Sequence, residues 1–224
     1  MILYHGSQEI VDKPEFGKGG LNNDYGQGFY CTESLELSKE WACSSDMFGF
    51  SNKYEFDITG LKILDLNSKD YNVLNWIAVL LNNRYFEKRT IIAREASDYL
   101  IREFLPDIYE YDVVCGYRAD DSYFSYAKDF INNSISVTQL SRAMKLGDLG
   151  NQIVLISPKS FEQIKYLGFE IADSTIYYNK RMQRETKARR AYLDNHGADF
   201  DVGSELFVRD IINEKVKNDD PRLR

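Results

Sequence analysis

Short apolar runs broken by Gly, Asn and Asp mark the first third of the chain, and longer stretches with a helical rhythm follow. Ile2–Tyr4 reads as a short strand, and Gly28–Thr32 as a second one. Between them, Gln8–Tyr25 carries the run FGKGGLNNDYGQG and reads as a long loop. Such a loop inside a compact domain is usually functional or mobile. Leu35, Ser38, Trp41 and Ala42 share one face of a helix over Ser34–Ala42. Lys53–Asp57 and Leu61–Leu66 form two strands joined by a turn at Thr59-Gly60.

Residues 70–105 read as helical, with one stripe at Val73, Leu74, Ile77, Leu80 and Leu81 and another at Ala96, Tyr99, Leu100 and Phe104, stopped by Pro106. Asp112–Gly116 is a buried strand, followed by YRADDSYFSYA as a loop. Ser136–Met144 is a helix and Gln152–Ser157 an apolar strand. Ser160–Tyr166 is a short helix or turn, and Glu170–Ala172 a candidate return strand. The order of elements implies an α+β fold, with a main domain over residues 1–178 and a helical extension over 179–224, first basic and then acidic.

Composition narrows the function classes. The 224 residues are 43% hydrophobic and 14% aromatic, enough for a real core. A net charge of −7 argues against a constitutive, non-specific nucleic-acid binder, which needs a basic field. Charge is unevenly spread: Lys180–Arg190 holds six cations against one acid, which suits a nucleic acid, an acidic protein target or a solvated helix. Cys31, Cys43 and Cys115 have no CxxC spacing and read as reduced thiols, not as a zinc site. No window approaches the roughly 18 apolar residues that span a bilayer. Together with the absence of a signal-like N-terminus, this leads to the expectation of a soluble, cytoplasmic protein without metal or membrane attachment. His196, in a polar NHGADFD stretch, receives no role.

The candidate chemistry lies in LYHGS from Leu3 and GFYCTESLELSKEWA from Gly28. A His ending one strand and a Tyr on another can frame a cleft for a flat ring and a ribose. These segments resemble the His-Tyr-Glu class of ADP-ribosyltransferases, the class of diphtheria toxin and the poly(ADP-ribose) polymerases. Tyr30 is followed by Ser38 at +8 and Trp41 at +11, and Leu149-Gly150-Asn151-Gln152-Ile153-Val154 looks like that class's third strand start. The chain to about residue 172 looks closer still to an uncharacterised bacterial domain group assigned to the same superfamily. Some of its members are encoded beside small partner proteins, which suggests toxin–antitoxin or phage-defence roles.

The resemblance implies a pair of packed, mostly antiparallel sheets with a helical insert, NAD as co-substrate, and no metal. It implies that His5, Gly6 and Ser7 form the first NAD-binding motif, with His5 on a ribose hydroxyl and the Gly6 backbone on the carboxamide. Ser38 would add a hydroxyl, and Tyr30 and Trp41 would sandwich the pyridinium. His5, Tyr30 and Gln152 are the candidate catalytic set, with Gln152 where the class has Glu. Arg118 would meet a phosphate of NAD, as would Lys18. Asp120, Asp121 and Tyr123 are auxiliary or acceptor-site candidates, although Asp121-Ser122 would serve equally as a helix N-cap. The implied activity is mono-ADP-ribosyl transfer to a macromolecular acceptor, protein or nucleic acid, with a small antitoxin as a candidate partner. A silent NAD- or ADP-ribose-binding module and an NAD glycohydrolase remain as alternatives.

Overall fold

The computed structural model describes residues 1–119, 121–146, 150–195 and 205–223, with the backbone alone at 121–123 and 195. Along the chain run β1 (Ile2–Ser7), β2 (Phe29–Cys31), α1 (Leu35–Ala42), β3 (Gly49–Phe56), β4 (Ile63–Asp65), α2 (Val73–Asn83) and α3 (Ile91–Phe104). Then come β5 (Val113–Tyr117), α4 (Asp121–Ile131), α5 (Val137–Ala143), β6 (Asn151–Leu155), α6 (Pro158–Glu162), β7 (Ile164–Ala172), α7 (Ser174–Asn195) and α8 (Val208–Asn213). The fold is α+β, as its order of elements implies.

Two sheets form. One has the order β1-β3-β7 and is antiparallel; the other has the order β2-β6-β5-β4, antiparallel except for the parallel β4–β5 pair. Reciprocal backbone hydrogen bonds between Tyr4 and Thr32, at 2.8 and 2.9 Å, join the sheets where β1 passes β2. The turn at Thr59-Gly60 therefore does not close a hairpin. It carries the chain from β3 in one sheet to β4 in the other.

The four-stranded sheet is apolar on both faces, which is why its strands read as continuous hydrophobic runs. Val113, Ile153 and Leu155 meet Leu3, Phe29, Tyr54 and Phe56 between the sheets. Their alternates, Leu64, Val114 and Val154, meet the helices, where Trp76, Ile77, Leu100 and Phe130 fill the larger core. Side-chain caps start these helices: Asn72 and Asn75 make a reciprocal box at α2, Thr90 caps α3, and Ser136 with Gln139 boxes α5.

Two elements differ from the sequence pattern. The YRADDSYFSYA segment is helical from Asp121, because Tyr126, Ala127, Phe130 and Ile131 supply a buried stripe that tertiary contacts complete. The return strand near Glu170 begins at Ile164 and pairs with β3 along its whole length, with a bulge at Lys53/Tyr54. As an edge strand it leaves Leu167, Phe169 and Ile171 exposed, so its alternation does not resemble that of a core strand.

On the outer face of the three-stranded sheet, α1 lies close to β1 and β3. A Cβ on Gly6 would meet the Ser38 carbonyl oxygen at 2.0 Å, and one on Gly49 would meet the Ala42 oxygen at 2.1 Å. Helix α7 then packs on α1 through Lys180–Glu36 at 2.8 Å and Arg184–Glu40 at 2.7 Å, the latter around a nearly buried carboxylate. Half of the basic segment's charge is thus spent inside the molecule: Arg181 pairs with Glu185 at 2.9 Å as well. The helix runs unbroken through residues 178 and 179.

Candidate functional site

A cleft of about 830 Å³ opens where β1, β2, the 8–28 loop, α1 and the end of β5 converge. That volume lies in the range of ~300–1,000 Å³ usual for small-molecule and cofactor sites. His5, Gly6, Tyr30, Trp41, Arg118 and Gln152 all line it, although they span most of the chain. Phe29, Asp24, Arg84, Phe161 and Arg181 complete much of the wall.

Each side chain is held by a local device. His5 lies within β1, opposite Asn52 of β3, and its Nδ1 lies 2.7 Å from the Tyr30 carbonyl oxygen. A carbonyl only accepts, so Nδ1 carries the proton and Nε2 keeps a lone pair while the ring is neutral. Phe29 covers the ring at 4.3 Å between centroids. Burial pushes the His5 pKa below its ordinary 6.5, against the opposing effect of the Tyr30 hydrogen bond. Asn52 is fully buried and ties the start of the loop to β1: it accepts from the Val11 N–H and donates towards the His5 and Glu9 carbonyls.

The depressed His5 pKa has a sign. The folded state favours the neutral ring, so the stability it contributes is full above the unfolded-state value near 6.5 and is lost as pH falls through the folded pKa. His5→Asn keeps a donor to Tyr30 and removes the titration. Denaturant unfolding between pH 7.5 and 5 is expected to show a steeper acid-side loss for wild type than for this variant; equal slopes would contradict the assignment.

The Tyr30 hydroxyl donates to the Gly26 oxygen at 2.7 Å and accepts from the Tyr25 N–H at 3.0 Å, which fastens the loop's end to β2. Trp41, on α1, carries the Arg118 guanidinium over its ring at 4.3 Å. That face therefore accepts a planar cation. Gly6 lines the cleft with backbone, and its lack of a side chain is demanded by α1 behind it.

Two residues of the motifs do not reach the cleft wall. Ser38 is fully buried; its hydroxyl donates to the Leu35 oxygen at 2.7 Å and is bonded to Ser51 Oγ. Ser7 turns to the Glu9 oxygen at 2.5 Å and accepts from Asn52. Lys18 lines the cleft but pairs with Glu15 at 2.8 Å. Asp120, the side chains of Asp121 and Tyr123, Leu149 and His196 lie outside the described residues.

The buried carboxylate that the structure brings into the cleft is Asp24, which comes from the Gly- and Asn-rich loop and carries no motif signal. It is 6% exposed. Its Oδ2 accepts from the Ala119 N–H at 2.9 Å and from Gln152 Nε2 at 3.4 Å, and its Oδ1 lies 3.5 Å from Arg84 Nε. Burial pushes its pKa above the ordinary value, and these partners only partly offset that. Gln152 is itself 5% exposed, and among the described residues its Oε1 has no hydrogen-bond partner. An unpaired buried acceptor costs ~1–3 kcal/mol and so invites a donor from a ligand.

Charge in the cleft is mixed but favours anions more than the chain does. Lys13, Lys18, Arg84, Arg118 and Arg181 face Glu9, Asp12, Glu15 and Asp24, in a chain whose net charge is −7. Among the described residues, no group of three or more His, Cys, Asp or Glu side chains is placed to hold a metal ion. No described helix is long and apolar enough to cross a membrane.

Fold and site define an α+β domain with a polar cleft of mixed charge, walled in part by aromatic rings. Residues 1–166 match DUF3990, a family described as a protein of unknown function, and the chain belongs to that family. Neither a curated protein nor a solved structure matches it. Arg181 comes from α7, beyond the family-matched region, so that helix completes the cleft wall.

Proposed function

We propose that the cleft binds NAD and that the protein is a mono-ADP-ribosyltransferase, transferring ADP-ribose to a macromolecular acceptor. The observation that carries this reading is the convergence of His5, Gly6, Tyr30, Trp41 and Gln152, from both ends of the matched region, on one cleft. Trp41 already stacks a planar cation, and the pyridinium of NAD is another. Its entry on that face would turn the Arg118 guanidinium towards the pyrophosphate, with Arg84 and Arg181 as further cations of the same cleft.

The chemistry to be supported is cleavage of the nicotinamide–ribose bond through an oxocarbenium-like transition state. Tyr30 and Trp41 grip the leaving ring, and the Gly6 backbone approaches it. His5 accepts a ribose hydroxyl at Nε2, and Gln152 accepts another at Oε1. The reading requires no hydroxyl from Ser38.

Labelled NAD mixed with purified protein and a cell lysate tests it. The expected result is covalent label on a macromolecule, lost in His5→Ala and Tyr30→Ala. Free ADP-ribose without a labelled acceptor would instead make water the acceptor. Binding without turnover would leave a silent NAD-binding module.

A further inference from the structure

Asp24 reaches the cleft from the loop between the two motif strands, and its surroundings constrain a neighbour. Its three partners, the Ala119 N–H, Gln152 Nε2 and Arg84 Nε, are all donors or cations, an arrangement that suits an ionised carboxylate. A carboxylate only accepts, whereas a side-chain amide has one donating and one accepting end. With Nε2 committed to Asp24, Gln152 is left with Oε1, buried and without a partner among the described residues. Gln152 lines the cleft, so the orphan is an acceptor at the site.

We infer that Asp24 is a positioning residue for Gln152: it pins the amide so that oxygen, not nitrogen, meets the ligand, and it supplies the negative charge that an amide lacks. The ligand group it selects is a hydrogen-bond donor, a hydroxyl. That this hydroxyl belongs to a ribose of NAD rests on the function proposed above; the pairing itself does not. In Asp24→Asn the amide oxygen can keep the Oδ2 position, which accepts from both the Ala119 N–H and Gln152 Nε2, so the variant removes the charge and weakens the hold on the Gln152 amide.

Three variants and one spectrum test this. Asp24→Asn is nearly isosteric and relieves a buried charge, so its thermal unfolding is expected at or above the wild-type temperature. Nicotinamide release is nevertheless expected to fall ~100-fold, mainly in kcat and not in KM. Gln152→Glu alone sets two carboxylates side by side and is expected to be impaired at neutral pH. The double variant Asp24→Asn/Gln152→Glu returns one negative charge to the pair, on the residue that lines the cleft, and is expected to recover to within ~10-fold of wild type. A residue that merely supports the loop would lower thermal stability when changed and would not be rescued by Gln152→Glu. Wild-type turnover in Asp24→Asn, or a double variant as inactive as Asp24→Asn, overturns the inference.

The side-chain amide resonances of Gln152 in ¹⁵N-labelled protein without NAD decide the pairing separately. They are expected to move in Asp24→Asn, and unchanged resonances overturn the inference whatever the activity. A wild-type protein that neither binds nor cleaves NAD would defeat the proposed function while leaving this spectrum to judge the Asp24–Gln152 pair.

Discussion

Gly6→Ala is expected to destabilise the protein by about 1–3 kcal/mol and to remove NAD binding together with turnover. The added methyl would stand 2.0 Å from the Ser38 carbonyl oxygen and 2.9 Å from the Ala42 nitrogen. Both are backbone atoms of α1 or its immediate frame, so no side-chain rotation relieves the overlap. The helix must move off the sheet. Trp41 rides on α1, and the space between its ring and Tyr30 changes with the helix position. A displacement near 1 Å in a site of this kind can cost ~10²-fold in rate. Chemical denaturation and NAD titration of the variant check both parts. Wild-type stability with intact binding would show that α1 is not held as close as 2.0 Å implies.

Trp76→Ala is expected to cost about 3–5 kcal/mol, the largest single loss in the core. Trp76 is 1% exposed, and its Nε1 donates to both Tyr25 Oη at 2.9 Å and the Tyr117 oxygen at 3.0 Å. Tyr25, equally buried, closes the knot by donating to Tyr117 at 2.6 Å. The knot sits one residue from Asp24, so it anchors the loop that carries the cleft's carboxylate. For a chain of 224 residues, such a loss corresponds to a thermal midpoint lower by roughly 10 °C. Trp76→Phe keeps most of the ring volume and forfeits only the donor, and is expected to cost ~1 kcal/mol. Differential scanning calorimetry of the two variants separates packing from hydrogen bonding; equal midpoints would contradict the division.

Much of this was legible in the sequence, for identifiable reasons. The apolar rhythm of α2 and α3 and the runs of β5 and β6 survive in the structure because burial on regular faces leaves a periodic trace. His5, Tyr30 and Trp41 stand out by motif spacing on two strands and a helix, and the fold brings them to one cleft. Edge strand β7 has no such trace, since Leu167, Phe169 and Ile171 face solvent. Helix α4 begins at the second acid of a run, Arg118 to Asp121, that looks like a turn in sequence, and its buried stripe begins only at Tyr126.

The site itself divides the same way. Motif spacing brings out Ser38, but spacing cannot tell a hydroxyl that faces a cleft from one bonded to Leu35 and Ser51 underneath it. Asp24 carries no periodic or motif signal at all. One acid in a Gly- and Asn-rich loop looks like ordinary turn chemistry until contacts separated by 95 and 128 positions along the chain place it beside Ala119 and Gln152. Arg84 and Arg181 are hidden likewise, at the end of one helix and along another, and only the folded cleft groups them.

NAD binding is the claim on which the proposed function stands, and calorimetric titration of NAD into the purified protein addresses it without knowledge of any acceptor. Wild type is expected to bind at one saturable site. His5→Ala, Tyr30→Ala and Trp41→Ala are each expected to weaken that binding at least ~10-fold while the protein stays folded. No saturable binding at millimolar NAD, or binding that all three substitutions leave intact, would contradict it.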